Sequence, residues 1–554
     1  MRKTNQSLPA LISFLLIAGP LAACGSGGTT PGGTANDPLT VEPNGNATVT
    51  PFQPATLTPT PQTITFWISP TLPEVLRASI LSIEQLDGRS IEIVNDPDLA
   101  RIRVEPEAEV NLSSWVYALV APFPTIPDGL TFDLLQAQWS DDTSGSILVS
   151  SADAESLAAI LGSPGDQALT RVDDSSIVDR AWEKTDTLGL VAFDELEPRW
   201  KVLQVDGISP LSKDFIPDTY PLIVRYGLSG DPAWVAALEP MVEWPSSNRD
   251  PERMTVVVMT GVTALARGTA WLMDVSGETY PGRDIGHWLR DADFAHISHE
   301  VSFTYECPIP DPYDPSLRFC SAPRHIALLE DVGVDIVELT GNHNLDYGAQ
   351  AYRNSLDMYR ERGWEYYGGG ENYADASQPV LIEHNGNRIA LVGCNAAGPP
   401  YALATSTTPG AMPCTTGQSL ADTTRLRDEG YLVIFTYQWT EAYMSYPLPQ
   451  QTAGFRLPVD AGAVIVQGSQ AHQPQGFEFY KDGFIHHGPG NLFFDQMWSL
   501  ETRQEFVDRH IFYDGRHIST ELLTAVLEEF GRPRPMTTSE RATFLDAIFS
   551  VSSW

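Results

Sequence analysis

Asn342, His343 and Asp346 form the densest group of potentially reactive side chains in the chain. They come just after the apolar run Val334–Leu339, from which the turn residues Thr340–Gly341 separate them. Such a run is typical of a strand that is buried on both faces. An asparagine carbonyl can bind a metal ion, and a neighbouring histidine can donate a proton to an anionic leaving group. The same residues could equally be ordinary polar groups at a strand end, so the motif alone leaves both interpretations open.

Polar side chains also follow several other predicted strands in the second half of the chain. Ligand and catalytic sites of α/β proteins lie at the carboxyl ends of strands. One polar strand end is ordinary, whereas five or more indicate a single shared site. The further candidates are Glu300, Gln438, Gln470, His472, Asn491 and Asp495.

Two long stretches of alternating strands and helices must position these residues, and the alternation indicates an α/β fold class for both. The first stretch covers residues 63–240, where the pattern predicts a strand at Ile64–Ile68 and a helix at Ser151–Leu161. The second covers residues 253–554. The segment between them is rich in proline, serine and charge, which predicts a domain boundary.

Three local patterns in the second stretch predict individual elements. Helical periodicity predicts a helix at Ala349–Arg360, beside the first motif. Asn385–Gly386 lies between two apolar runs, and this dipeptide is a strong signal for a hairpin turn. The composition of Glu521–Phe530 predicts a further helix.

The charge balance excludes some function classes. The 554 residues carry a formal net charge of -37, and general affinity for nucleic acid or anionic lipid needs a basic surface instead. We therefore expect no nucleic-acid partner. With 42% hydrophobic residues, the chain can bury more than one core.

The first residues predict the compartment. Arg2 and Lys3 precede an apolar stretch, Leu8–Ala18, that is too short to span a membrane comfortably. Leu21–Cys24 resembles a bacterial lipobox, which implies removal of residues 1–23 and lipidation of Cys24; an ordinary secretory signal with a chance cysteine is the alternative. Residues 24–62 are rich in Gly, Thr and Pro and predict a disordered linker. We expect an extracytoplasmic protein that a lipid anchors to the cell membrane.

Four cysteines remain beyond the lipobox, namely Cys307, Cys320, Cys394 and Cys414. An even number outside the cytosol is compatible with two disulfides. Proximity in the sequence favours Cys307–Cys320 and Cys394–Cys414, although three pairings are possible and free buried thiols are the alternative.

Leu190–Phe215 and Asp218–Leu228 resemble the hinge-side portion of periplasmic solute-binding domains. This resemblance is diffuse and carries no ligand signature. It implies a smaller α/β domain at 63–240, for which a working ligand pocket and a structural or docking role are equally open.

Residues from about Thr255 to Trp554 resemble the CapA family of poly-γ-glutamate synthesis (capsule biosynthesis) proteins. The matching motifs are TGNHNLDYG, GGGENYADA, the Gln438–Trp439 segment, GSQAHQPQ followed by FEFYKDG, and GPGNLFFDQ. The resemblance implies a calcineurin-like metallophosphoesterase fold, which is a four-layer sandwich. It also implies a role in synthesis, attachment or export of an anionic capsule polymer, with synthase subunits as possible partners.

The same resemblance implies a site for divalent metal such as Mn, Fe or Zn. Its ligands would be Glu300, Asn342 and His472, and His343 and Asp346 would be the catalytic pair. Three family ligand positions are altered here, because they carry Val262, Gln438 and Gln470 in place of Asp, His and His. Valine cannot ligate a metal, and an amide oxygen is a much weaker ligand for transition metals than imidazole. His299 could not substitute, since neighbours on a strand face opposite sides.

These departures leave three interpretations open. In the first, the metal site is lost and the cleft binds a polymer or partner through hydrogen bonds from Gln438, Gln470, Asn342 and His472. Asn491 and Asp495 are further binding candidates near this cleft. In the second, a remodelled mononuclear site makes the protein a metal-dependent hydrolase. In the third, the domain is purely structural.

Overall fold

The computed structural model describes residues 63–141, 147–173, 176–184 and 186–554. The predicted signal peptide 1–23, the lipidated Cys24 and the linker 24–62 lie outside these residues. The described residues belong to one compact unit. No helix within them is both long enough and apolar enough to cross a membrane.

The first part of the chain forms an 11-stranded mixed sheet in the order β2-β3-β1-β4-β11-β5-β9-β7-β8, with β10 pairing with β5 and β6. Its strands are β1 (Ile64–Ile68), β2 (Gln85–Leu86), β3 (Arg89–Ile93), β4 (Ile102–Pro106), β5 (Val110–Pro122), β6 (Gly129–Leu130), β7 (Ile147–Ser150), β8 (Leu169–Val172), β9 (Leu188–Ala192), β10 (Trp200–Val205) and β11 (Ile223–Gly230). Its helices are α1 (Glu74–Leu81), α2 (Phe132–Ser140), α3 (Ser151–Leu161), α4 (Ile177–Trp182) and α5 (Pro232–Leu238).

The second part forms two larger sheets. One has the order β16-β15-β14-β12-β25-β26-β27 with β13 on β14, and the other has the order β18-β19-β21-β22-β24-β23. The strands are β12 (Met254–Met259), β13 (Val262–Thr263), β14 (Phe294–His299), β15 (Ile336–Glu338), β16 (Glu365–Tyr367), β17 (Gly369–Gly370), β18 (Val380–His384), β19 (Asn387–Asn395), β20 (Gly410–Ala411), β21 (Leu432–Gln438), β22 (Ala463–Ser469), β23 (Phe477–Tyr480), β24 (Gly483–His486), β25 (Gln504–Tyr513), β26 (Arg516–Glu528) and β27 (Arg532–Pro535). The helices are α6 (Arg267–Ser276), α7 (Gly286–Arg290), α8 (Ile326–Asp331), α9 (Gly348–Glu361), α10 (Tyr373–Ala376), α11 (Gln418–Asp428), α12 (Pro449–Ala461) and α13 (Thr538–Phe549).

These two sheets pack face to face with helices outside. Apolar residues of both sheets, such as Val257, Ile389 and Phe484, share one buried cluster between them. The outer face of the first sheet packs against α6 to α9, and that of the second packs against α11 and α12. The predicted α/β class and the four-layer arrangement are therefore confirmed.

Local signals predicted several elements correctly and one wrongly. The strand Ile64–Ile68 and the helix Ser151–Leu161 have the predicted bounds, and the Ser150 hydroxyl caps that helix at the Asp153 amide. The hairpin at Asn385–Gly386 joins β18 to β19. Glu521–Phe530 is not a helix, because most of it belongs to β26, which pairs with β25 and β27. Pairing with distant strands overrides the helical composition of that segment.

The two disulfides that proximity favours are both present, as Cys307–Cys320 and Cys394–Cys414. The first sheet ends at Gly230 and the next strand begins at Met254. The division into domains at 63–240 and 253–554 stays a prediction, since the described residues form one unit.

Candidate functional site

Four strand ends of the two facing sheets bring the central polar residues together. Glu300 follows β14 and Asn342 lies in the turn after β15, which is parallel to β14. Gln438 is the last residue of β21, and Gln470 follows the parallel neighbour β22. Parallel strands end at the same edge of a sheet, so the two pairs meet where the edges of both sheets face each other.

The side-chain oxygens of three residues converge on one amide nitrogen, Gln438 Nε2. It lies 2.9 Å from Asn342 Oδ1 and 3.4 Å from Glu300 Oε2, and it also contacts Gln470 Oε1. Turning the amide over would place its oxygen against three other oxygens, so the contacts support this orientation. Glu300, Gln438 and Gln470 are buried, and the candidate site is therefore closed at its centre.

Two buried oxygens at this centre have no hydrogen-bond partner, namely Glu300 Oε1 and Gln438 Oε1. A buried polar atom without a hydrogen-bond partner lowers the free energy of unfolding by about 1–3 kcal/mol. Gln470 also has a φ of 75°, in the left-handed region that side-chain-bearing residues rarely adopt. Unsatisfied atoms and backbone strain of this kind cluster at functional positions.

Val262 lies in an apolar environment where the family resemblance implies a metal-binding aspartate. It is 1% exposed and packs in a small cluster with Ala264, Val301 and Phe494. This surrounding would penalise a carboxylate that had no cation beside it.

His343 and Asp346 form a hydrogen-bonded pair at the half-buried side of the site. His343 Nδ1 lies 2.7 Å from Asp346 Oδ2, which also accepts a bond of 2.9 Å from the Phe319 amide. Burial alone would lower the pKa of His343, but the hydrogen bond to Asp346 and the charges of Glu300, Asp346 and Glu441 outweigh it and raise that pKa. Such an imidazole can hold and release a proton at Nε2.

His472 and Asn491 are tied to each other. His472 Nδ1 lies 2.8 Å from Asn491 Oδ1, and Asn491 Nδ2 donates to the carbonyls of His472 and Thr502, each at 3.0 Å. Asn491 thereby orients the imidazole and leaves its Nε2 as the free acceptor. Its predicted role as a binding residue stays a prediction.

Asp495 is engaged by Arg267 at the start of α6. Its Oδ1 lies 2.6 Å from Arg267 Nη2, and its Oδ2 accepts a bond of 2.7 Å from the Gly268 amide. Burial raises the pKa of Asp495 despite the adjacent arginine. Both oxygens are thus used within the fold, and a ligand-binding role would have to displace one of these contacts.

His299 points away from Glu300, as the alternation of strand side chains predicts. Its ring stacks on Phe303, and its Nδ1 lies 2.9 Å from the Tyr359 hydroxyl in α9. His299 therefore cannot replace a missing metal ligand.

Glu441 and Tyr443 are site residues that the sequence reasoning missed. They lie in the loop after β21, and the Tyr443 ring stacks on His472 with 6.0 Å between centroids. Glu441 acts electrostatically on His343. The sequence did contain a signal for them, because they follow closely after Gln438, a candidate residue at the end of a strand.

The residues at the site do not fit a dinuclear hydrolytic metal centre. Such a centre needs several carboxylate and imidazole ligands to hold two ions, whereas Glu300 and His472 are the only members of those classes among the predicted ligands. Within the part of the chain that the structure describes, no group of three His, Cys, Asp or Glu residues is arranged to hold a metal ion. A hydrogen-bond donor, Gln438 Nε2, instead faces the converging oxygens.

Residues 256–496 match the family model described as bacterial capsule synthesis protein PGA_cap. This match bears out the resemblance to that capsule synthesis family that the sequence motifs indicated. The capsule biosynthesis protein CapA of Bacillus anthracis is 27% identical over 317 residues, which are 55% of this chain and 74% of that protein. The PGA biosynthesis protein CapA of Bacillus subtilis (strain 168) is 25% identical over 228 residues, or 41% of this chain and 60% of that protein.

Among solved structures, the NAD nucleotidase NadN of Haemophilus influenzae is similar at 10% identity. The similarity covers 53% of this chain and 55% of that one, with a TM-score of 0.31. A TM-score this low supports no conclusion about function.

Proposed function

We propose that the protein is a cell-surface lipoprotein of the CapA type that acts in synthesis, attachment or export of an anionic, poly-γ-glutamate-like capsule polymer without hydrolysing it. The family match over residues 256–496 and the names of the two Bacillus relatives support the capsule role. The lipobox ending at Cys24 supports the membrane anchor. Subunits of a polymer synthase are the expected protein partners.

The observation that carries the non-hydrolytic part is the position of Gln438 Nε2 among three oxygens. A metal ion at that point would require electron-pair donors, and an amide NH₂ group has none to offer. The amide supplies a positive partial charge to Glu300 Oε2 and to the two amide oxygens, so these contacts hold Gln438 in this orientation. The domain keeps its family fold and serves as a scaffold for polymer handling.

Metal content tests this part directly. The full chain is produced with Mn, Fe and Zn available and analysed for bound elements, beside a Glu300→Ala variant. We expect no stoichiometric metal in either protein. About one or two equivalents per chain that disappear in Glu300→Ala would overturn the proposal.

Surface polymer tests the capsule role. Deletion of the gene should abolish or strongly reduce the cell-bound anionic polymer, and the wild-type gene should restore it. Asn342→Ala with His472→Ala should restore it as well, because these side chains hold no catalytic metal. If the double variant is present at normal levels but restores no polymer, the non-hydrolytic role is contradicted.

A metal-dependent phosphoesterase or other hydrolase with a remodelled site is the second candidate function. The His343–Asp346 pair favours it, since an imidazole oriented by a carboxylate can act as a general acid. In that case Glu300, Asn342 and His472 would hold one ion, which would act as a Lewis acid. A metal-dependent activity that His343→Gln removes would establish this candidate.

The anchor has its own test. Fractionation of cells that produce the wild-type chain should place it in the membrane fraction, and Cys24→Ser should release it from the membrane or leave it unprocessed. Equal membrane association of both proteins would contradict lipidation at Cys24.

A further inference from the structure

Two adjoining cavities form a groove between the first sheet and the sheet that contains β25 and β26. Their volumes are about 320 Å³ and 570 Å³, and they share the lining residues Gln204, Trp288, Glu521 and Leu523. We call this continuous space the interface groove. A space of this size accommodates a segment of a polymer or a small ligand.

The charge of the interface groove differs from that of the whole protein. The chain has 71 acidic and 34 basic residues. The groove is lined by five basic residues, Lys201, Lys213, Arg290, Arg509 and Arg541, and by four acidic ones, Asp128, Asp214, Asp291 and Glu521. Asp293 and Asp331 pair with Lys213 and Arg290 without lining the groove, so the groove is close to neutral. An anionic ligand therefore meets less repulsion here than at a surface of average composition.

Three of the cations retain donor groups for a ligand. Lys213 Nζ lies 2.5 Å from Asp293 Oδ1, and Arg509 Nη1 contacts Glu521. Arg290 Nη1 donates to the Asp331 carbonyl at 2.6 Å and lies 3.7 Å from Asp331 Oδ2. In the region covered by the structure, each of these side chains makes its hydrogen bonds through one nitrogen alone. The other N–H groups of the two arginines can still receive carboxylates.

The deep end of the groove is built differently. Asp128 lies 2.8 Å from Lys201 Nζ and accepts two bonds of 2.8 Å from Arg541, so one carboxylate holds two cations here, whereas each outer cation has its own carboxylate partner. Apolar side chains including Phe123, Leu545 and Phe549 line the same end. This wall suits the methylene groups of a polymer rather than its charges.

We propose that the interface groove binds a strand of a carboxylate-bearing polymer, with carboxylates on Lys213, Arg290 and Arg509 and methylene groups in the apolar deep end. The proposal rests on the proposed function for the anionic nature of the polymer. It assigns polymer binding to a surface that the first sheet helps to form, outside the closed centre of the candidate site. Residues 63–240 thereby acquire a role in ligand binding.

Binding of a poly-γ-glutamate oligomer to the full chain at low ionic strength, followed by calorimetry, tests the proposal. The informative variant is Lys213→Glu, and Lys481→Glu is its matched control. Both lysines are partly exposed and lie 2.5 Å from an aspartate, and both variants change the net charge equally, but Lys481 does not line the groove. A neutral dextran of similar length controls for polymer length.

We expect the wild-type chain to bind the oligomer, with affinity that falls as salt is added. Lys213→Glu should weaken binding at least about tenfold, since it places a like charge against the ligand. Lys481→Glu should change the affinity by no more than about twofold because it acts only through screened charge. Arg509→Gln should repeat the loss with a smaller charge change.

Equal losses in the two lysine variants would overturn the proposal, because binding would then follow overall charge. Absence of binding by the wild-type chain, or equal binding of dextran, would overturn it too. Either failure leaves the cellular test of the capsule role standing, since polymer assembly could depend on partner subunits alone. Loss of that cellular role with intact binding would instead remove the proposed function and retain the groove.

Discussion

The candidate site and the interface groove are both polar, but they satisfy their polar groups in opposite ways. In the candidate site, the buried Glu300 and the half-buried Asn342 direct side-chain oxygens inward onto Gln438 Nε2. In the groove, Lys213 and Arg290 are partly exposed and keep unused donors. The side chains of the candidate site therefore contact one another, whereas those of the groove are accessible to a ligand.

This difference shows that the polar strand ends of the fold and its open polar surface are separate places, so they can serve separate purposes. The amides of Gln438 and Gln470 are weaker ligands for transition metals than imidazole, and the Gln438 amide donor contacts the surrounding oxygens. Binding can then develop at another surface of the same fold. If the closed centre and the open groove are as different as their contacts, substitutions in the two regions should have different effects on stability.

The largest effect is expected from Val262→Asp, which places a charge in the apolar cluster beside the candidate site. Without a cation, a buried unpaired carboxylate should lower the free energy of unfolding by about 3–5 kcal/mol. Denaturant unfolding of the full chain measures this, and Val262→Asn is the control of equal shape without charge. If the two variants were equally stable, a cation would already be available at this position.

Combining Val262→Asp with Gln438→His and Gln470→His should reverse part of that loss when metal is added. The restored ligands give a site that binds the folded state, and manganese at about 100 times its Kd would add about 2.7 kcal/mol. Elemental analysis and unfolding with and without Mn measure the gain. A restored protein that still excludes metal would show that the backbone around Gln470 has also changed.

Several features of the candidate site and of the fold could be predicted from local sequence, because local chemistry determines them. Strand ends with polar residues indicated that Glu300, Asn342, Gln438 and Gln470 meet, and they do. The bounds of Ser151–Leu161 follow from the capping serine and the glycine after the helix.

Other features depend on contacts between distant parts of the chain. Asp495 pairs with Arg267, 228 positions earlier, which no local pattern indicates, and its predicted role in ligand binding stays a prediction. Glu521 was predicted to lie in a helix, but it lies in β26. Its strand conformation depends on pairing with β25, which local sequence does not reveal. No local pattern marks the interface groove, since its cations come one at a time from separate segments.

A moderate effect is expected at the deep end of the groove from Asp128→Asn. Arg541 and Lys201 hold the pKa of Asp128 at about 2 despite the burial that opposes this. Because Asp128 is about half exposed, solvent screening limits its contribution to about 1 kcal/mol at neutral pH. Unfolding of wild type and variant at pH 7 measures the difference.

The sign of its pH dependence follows from linkage. A depressed carboxyl pKa stabilises the fold above the ordinary pKa of aspartate, and this stability is lost as the pH falls through about 2. Wild type and Asp128→Asn should therefore converge as the pH is lowered from about 4 to 2. A constant difference over that range would mean that the variant acts through packing rather than charge.

The smallest effect concerns the protonation of His343, which the acidic surroundings of the candidate site favour. Its pKa is raised because the bond to Asp346 and the charges of Glu300, Asp346 and Glu441 outweigh burial. A raised histidine pKa contributes stability that is present below the ordinary histidine pKa and lost as the pH rises through the raised value. Asp346→Asn should lower the pKa of His343, as measured by NMR titration of its imidazole.

Glu441→Gln is the graded control for that titration, because Glu441 acts on His343 through charge alone whereas Asp346 also holds its Nδ1. It should lower the pKa of His343 by less than Asp346→Asn does. Equal shifts would show that bulk negative charge sets the protonation of this imidazole. The hydrogen bond from His343 Nδ1 to Asp346 would then add nothing to the charge of Asp346, and the case for an oriented proton donor in the candidate site would fail.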